Sequence, residues 1–499
     1  MKTSLFFIHR FVGLLLCSVL LLSSCSKDNT ETEIDEKAQL VLAASSLEIE
    51  KGEEVTFAIT ANGKSVEADI YIEGTKIENT TYIFKEVGEF EVVAKNEGYI
   101  DSEKIVVKVL DLPKDEKNQL VLSASSLEIE KGEEVTFTTS IDGEAVEADI
   151  YIKGTKIESA NYIFEEAGEY EVVAKKDGYV DSEKVIIKAY KLVVYVAGHE
   201  RENNIDVAKY WKDDEVVALT DGGVNSEANS IFVDGNDVYV AGHVGGKVQY
   251  WKNGTAMNTI NLNTIRGHAN SIFVENEDVY VAGWEYDEHG IRIAHYWKNG
   301  EPHAVGAGSS ADVVATSIFI DKGDVYMAGY QDNGTRNVAK YWKNGTSFPL
   351  TDGNNDALAT SIFVENGDIY VAGYEYNGSF IGGNATAKYW KNGNVVPLSD
   401  GSSTVMANSI FVENGDVYVT ASGYNGYWKN GEAVPFSFSN KGTPLSLFVV
   451  NENVYASGSS SGGGNSRVVF WKNGSIKFLS PGTYYASGKS IFVTRSLEE

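Results

Sequence analysis

The sequence predicts an all-β protein in which two tandem β-sandwiches precede a seven-bladed β-propeller closed by its C-terminal strand. Three observations predict it. Residues 38–108 and 118–188 match at a fixed offset of 80 without a gap, with 49 identities in 71 positions, the mark of a duplicated small unit. A second unit of about 44 residues recurs seven times from residue 192 onward, the size of four short strands and hence of one propeller blade. Finally, the strands of that second unit are out of phase at its two ends, so that the last strand is needed to complete the first blade.

Composition sets the limits. The 499 residues carry 71 Asp plus Glu against 42 Lys plus Arg, a formal charge of −29, with 49 Gly, 7 Pro and 2 Cys. That acidity disfavours nucleic acid, whose phosphates require clustered Lys and Arg. The first third is the more acidic part, with residues 27–191 carrying a net −19.

Lys2, His9 and Arg10 precede an apolar run from Phe11 to Leu22, which reads as a signal peptide over 1–24 and is short for a membrane span. Leu22-Ser23-Ser24-Cys25 resembles a bacterial lipobox. The resemblance implies that Cys25 is acylated, becomes the new amino terminus and anchors the chain in the outer membrane. Cys17 leaves with the signal, so no disulfide is expected. Residues 25–37 then form an acidic tether. An acidic stretch behind a lipidated Cys also resembles the surface-export signal of Bacteroidota lipoproteins, which implies exposure on the outer face.

Each copy of the duplicated unit, 38–110 and 118–190, reads as about seven short strands with alternation such as Leu47 and Ile49 against Glu48 and Glu50. The pattern resembles bacterial immunoglobulin-like domains, here without the Cys pair or the strand Trp. With no His or Trp in either copy, a spacer role is expected. Residues 111–117 form a linker stiffened by Pro113. No linker separates the second copy from residue 192, so a rigid junction is expected there.

In the sevenfold unit, Ser-Ile-Phe-Val begins at Ser230, Ser271, Ser317, Ser361, Ser409, Ser446 and Ser490. Val-Tyr-Val-Ala-Gly begins at Val194, Val238, Val279, Val325, Ile369, Val417 and Val454. Tyr-Trp-Lys-Asn-Gly places Trp at 211, 251, 297, 342, 390, 428 and 471. With the segment that follows, these are strands B (Val-Tyr-Val), C (Trp) and D, after strand A (Ser-Ile-Phe). The region starts on a B strand at Val194 and ends on an A strand at Ser490, which leaves no unpaired edge if the two join. Pro302, Pro349, Pro397 and Pro435 fall near strand D, the outer edge, where a missing amide donor is tolerated. The repeat, as in Asn366-Gly367-Asp368-Ile369-Tyr370-Val371-Ala372-Gly373, resembles the seven-bladed propeller repeats of secreted bacterial proteins over 192–499. The resemblance implies a fold but no activity, since propellers host many functions.

The A-to-B and C-to-D turns are short and nearly uniform, while the B-to-C and D-to-A loops vary, so binding is expected on the variable face. There the residues after strand B are His199, His243, Trp284, Tyr330, Tyr374, Ser422 and Ser459, with Tyr286 and Tyr376 as second aromatics and Glu285 and Glu375 between. Aromatic platforms with nearby carboxylates suit sugar rings and hydroxyls, so His199, His243, Trp284, Tyr286, Tyr330, Tyr374 and Tyr376 are candidate ligand-binding residues. Packing of these rings between blades is the competing reading. The repeat Trp residues read as packing between blades. Asp221, Asp352 and Asp400, each followed by Gly, read as turn residues; no spacing matches a calcium loop. No His-x-x-x-His, Glu-x-x-His, Gly-x-Ser-x-Gly or phosphate loop occurs. The chain is therefore expected to be no enzyme and to hold no metal or cofactor. It would bind a glycan or protein ligand, the alternatives being a scaffold or adhesion role and a carbohydrate-active enzyme.

Overall fold

The computed structural model describes residues 37–111, 118–257, 266–306, 311–377, 382–436, 442–462, 465–483 and 485–498. Cys25, the signal peptide and the tether up to residue 36 lie outside the described residues, as does 112–117 of the linker. The described chain is all-β, with no α-helix, and no helix among these residues is long and apolar enough to cross a membrane.

The described residues divide into two compact units. One holds the first repeat copy together with Ser140–Ala148 and Ala174–Ser182; the other holds Leu122–Thr139, Asp149–Val173 and everything from Glu183 onward. The first copy forms nine short strands rather than about seven, in two sheets. Glu48–Glu50 runs parallel to Ile105–Leu110 and Gln39 bridges Ile100 in parallel, while the other strand pairs described in this copy are antiparallel. Period-two alternation points Val55, Phe57 and Ile59 inward from one sheet and Ile70, Val92 and Val107 from the other, onto one apolar cluster around Phe84.

The second copy ends in a strand that does not stop. Val185–Glu202 runs 18 residues, pairing first with Gly168–Val172 and Glu128–Glu130, then with Ala486–Ser496 and Ile205–Lys212. The absent linker is therefore a single continuous strand. Around it, Asn451 Nδ2 donates to the Tyr190 hydroxyl at 2.6 Å, and the Arg495 guanidinium sits 4.5 Å from the Tyr190 ring while pairing with Glu128 at 3.2 Å.

Six four-stranded antiparallel sheets, each in the order A, B, C, D, and a seventh set of four strands that continues an eight-stranded sheet make up the region among the described residues. Sheet one is composite: its A strand is Ala486–Ser496 and its B strand is the end of Val185–Glu202, with Lys191 opposite Ser496. The sheets close on themselves. Phe232, Phe273, Phe319, Phe363, Phe411, Phe448 and Phe492, one per A strand, pair in an unbroken cycle at 4.7–4.9 Å. A second cycle runs through hydroxyls: each repeat Ser accepts the backbone N–H of the residue after the Ser in the next A strand, seven bonds at 3.1–3.3 Å. The repeat Trp rings are buried in clusters that combine neighbouring sheets, as with Trp251 beside Tyr195 and Tyr210.

Two features set the geometry of the ends. Each Trp-Lys-Asn-Gly turn holds Asn in the left-handed region, as at Asn253 with φ 50°. The same Asn253 accepts the Val238 N–H and donates to Asp237, both at 2.8 Å, so the A-to-B and C-to-D turns are tied together at one end. Prolines 302, 349, 397 and 435 all lie in D strands. At the other end every A strand bulges before its Ser, as between Ala228 and Ser230. The bulge pushes the A-strand carbonyl against the B-strand glycine: a Cβ on Gly242, Gly283 or Gly329 would meet that oxygen at 1.9 Å. Glycine closes Val-Tyr-Val-Ala-Gly in six of the seven copies, where a Cβ would meet this carbonyl, while sheet six carries Ala421 there.

Candidate functional site

The candidate residues sit at the bulged end, but inside strands rather than in loops. The B strands continue past the glycine to Val244, Tyr286, Asp332 and Tyr376, so His243, Trp284, Tyr286, Tyr330, Tyr374 and Tyr376 are strand residues, as is His199. Strand geometry then decides direction. Residues two apart share a face, so Trp284 meets Tyr286 edge-on at 5.1 Å and Tyr374 meets Tyr376 at 5.7 Å. Glu285 and Glu375, expected beside those rings, point to the opposite face. There Glu285 is buried 3.6 Å from His295 Nε2, and Glu375 pairs with Lys388 at 2.6 Å and Asn355 at 3.0 Å. The carboxylates expected near the aromatic platforms thus lie on the opposite face of the strand, by its two-residue period.

The register across the A–B hairpins supplies partners that spacing along the chain does not reveal. Glu227 lies opposite His243, His268 opposite Trp284, Val314 opposite Tyr330, Leu358 opposite Tyr374, and Ser487 opposite His199. His268 stands between two of the candidates, 4.1 Å from the His243 ring and stacked on Trp284 at 4.9 Å and 11°. Burial and the neighbouring His243 push the His268 imidazole down to about 4, so it is neutral near pH 7. Arg292 extends the series: its guanidinium lies 5.7 Å from the Trp284 ring and 5.9 Å from Tyr330, and donates to the Tyr330 hydroxyl at 3.1 Å. Asp312 holds that guanidinium through Nε and Nη2 at 2.9 and 2.6 Å.

Sheets two to four thus carry a continuous ladder of rings and one guanidinium. Its members cover one another. Tyr330 is only 8% exposed and His243 9%, whereas Trp284, Tyr286, Tyr374 and Tyr376 are half-buried. Burial raises the Tyr330 phenol and pushes Tyr374 up to about 12. In sheets six and seven the same B-strand position holds Ser422 and Ser459, so the rim is aromatic on one side and hydroxylic on the other.

At sheet one the rim changes character again. His199 is 3% exposed, stacks on the half-exposed Tyr485 at 5.9 Å, and its Nδ1 has no hydrogen-bond partner among the described residues. Donor atoms of His199, Asp206 and Glu227 lie within 4.8 Å of one another. The Arg201 hydrogen bonds, to Oδ1 at 2.8 Å and Oδ2 at 3.0 Å, hold the Asp206 carboxyl below its usual range. Lys489, the bulged residue of this A strand, lies 3.7 Å from Glu227. Desolvation lowers both His199 and His243. Sequence reading missed His268, Arg292, Glu227, Asp206, Lys489 and Tyr485. The position two before each bulge residue marks the first and third of them, once strand A is paired with strand B. The turn acids fare as expected: Asp221, Asp352 and Asp400 accept the backbone N–H two residues on, at 2.9–3.0 Å.

No family model matches the chain, and no curated protein matches it. Among solved structures it is similar to the extracellular domain of a one-component system, BT4673, from B. thetaiotaomicron, at 7% identity and a TM-score of 0.35, covering 57% of this chain and 38% of that one. It is also similar to YjhT, at 10% identity and a TM-score of 0.33, covering 52% of this chain and 98% of that one. The chain thus spans well under half the length of the first of these.

Proposed function

We propose that the ring is a seven-bladed β-propeller, residues 192–499, that binds a glycan at its bulged end. Residues 38–110 and 118–190 serve as immunoglobulin-like spacers, and acylated Cys25 anchors the whole to the outer membrane through the tether 25–37. Four-stranded sheets closed in a sevenfold cycle support the fold reading, and the lipobox-like tetrad supports the anchor. One observation carries the binding reading: two half-buried aromatic pairs, Trp284 with Tyr286 in sheet three and Tyr374 with Tyr376 in sheet five, stand on either side of Tyr330 in sheet four, which Arg292 braces. Ring edges and phenol hydroxyls offer a sugar both apolar C–H contact and hydrogen bonds. We assign no catalytic role, because the rim carboxylates are engaged by Arg201, Arg292 and Lys489.

A glycan array with the full chain tests this. Binding that is lost in the double variant Trp284→Ala with Tyr374→Ala, at unchanged melting behaviour, places the ligand here. Binding that survives the pair puts it elsewhere. The burial of Tyr330 and the stacking of His268 on Trp284 favour a second reading, a scaffold or adhesion role in which the rim only packs the ring; an array without any hit supports it.

A further inference from the structure

We infer that His199, Asp206 and Glu227 form a site for a zinc-class divalent transition metal, at the sheet where the two ends of the ring join. It stands apart from the glycan reading, since none of the three belongs to the aromatic ladder. The first argument is geometric: one ligand atom from each residue lies within 4.8 Å of the others. A tetrahedral ion with bonds of about 2.0–2.2 Å spaces its ligands by roughly 3.3–3.5 Å, so closure needs a movement of a little over about 1 Å. The three residues come from strand B and strand C of sheet one and strand A of sheet two.

The second argument is the unsatisfied imidazole. A ring nitrogen buried without a partner is destabilising, and His199 Nδ1 is such an atom in a residue 3% exposed. Coordination through Nδ1 would give it a partner. His243 Nδ1 is likewise buried and unpartnered, but its ring packs on His268 at 4.1 Å and it lies outside the group of three.

The donor set and its surroundings select the metal. One imidazole with two carboxylates suits zinc and its neighbours. Arg201 on Asp206 and Lys489 near Glu227 already balance the two carboxylates, which disfavours calcium, an ion bound chiefly through uncompensated oxygen charge. Arg201 leaves each Asp206 oxygen further lone-pair capacity, because a carboxylate accepts about four hydrogen bonds. Arg201 then acts as the outer partner that orients the ligand.

The test is a titration of the chelator-stripped full chain with Zn2+ in competition with a chromophoric chelator, repeated with Co2+ to read the ligand-field spectrum. The expected result is one ion per chain and a Co2+ spectrum of low coordination number. Glu227→Gln and His199→Ala should each weaken Zn2+ at least about 10-fold, while the exposed His289→Ala should leave it unchanged. Glu227 is half-buried, so its variant remains informative if His199→Ala fails to fold. No stoichiometric binding, or binding that persists undiminished in Glu227→Gln, overturns the proposal.

Discussion

The Ser490 hydroxyl accepts the Ile231 backbone N–H at 3.3 Å across 259 positions of chain. That bond joins the A strand at the end of the chain to the A strand of sheet two, and it is one member of a cycle of seven. Six of the seven link A strands that follow one another along the chain or end at Ile491; this one closes the circle.

Ser490→Ala leaves the N–H of buried Ile231 without its acceptor, and should lower stability by about 1–2 kcal/mol. Deleting residues 486–499 does more, since it removes Phe492 from the aromatic cycle and exposes the edge of Val185–Glu202. Chemical denaturation of the first and sedimentation of the second are the measurements. A truncated chain that stays monomeric with an unchanged midpoint counts against closure by the last strand.

Gly329→Ala should destabilise by roughly 1–3 kcal/mol through overpacking. Its Cβ would lie 1.9 Å from the Val314 carbonyl oxygen. Sheet six carries Ala421 at the matching position beneath the same register shift, so Ala421→Gly removes a methyl group that this sheet accommodates and should cost less than Gly329→Ala. Thermal melts of the two variants compare them directly.

Tyr374 gives a pH signature. Its phenol is pushed up to about 12 by burial and by Tyr376 and Tyr330, against about 10 when unfolded. The folded state therefore holds the proton over that interval while the unfolded state releases it. The stability this contributes is full below pH 10 and is lost as pH rises to about 12. Tyr374→Phe should remove one late-titrating phenol from the alkaline absorbance curve; a loss near pH 10 instead would show the ring to be solvated.

Arg495→Ala should loosen the strand that enters sheet one. The guanidinium touches the Tyr190 ring, Glu128 and Asn451. Exposed pairs contribute little, about 0–1 kcal/mol, so global stability should hardly change. Amide exchange at Lys188–Lys191 should rise, and unaltered exchange there would assign the rigidity to strand pairing alone.

The repeats were legible because they encode local rules. Asn-Gly in each turn, the alternation of Val-Tyr-Val and one Phe per A strand each report on a neighbour within a few residues or one period away. Sequence missed how far strand B extends: the aromatic residues after Gly242, Gly283, Gly329 and Gly373 read as loop because the bulge that lets the strand continue lies in strand A. With the strand continued, Glu285 and Glu375 fall on the face opposite the rings.

Periodic side-chain chemistry thus determined strand order, the sevenfold count and the end at which the variable residues gather. Tertiary structure alone decided what those residues do there. Hairpin register sets His268 against Trp284, and the packing of sheet one against sheet two brings His199 and Asp206 to Glu227. Such contacts depend on one strand's offset against another, and a shift of one residue would send every one of these side chains to the opposite face.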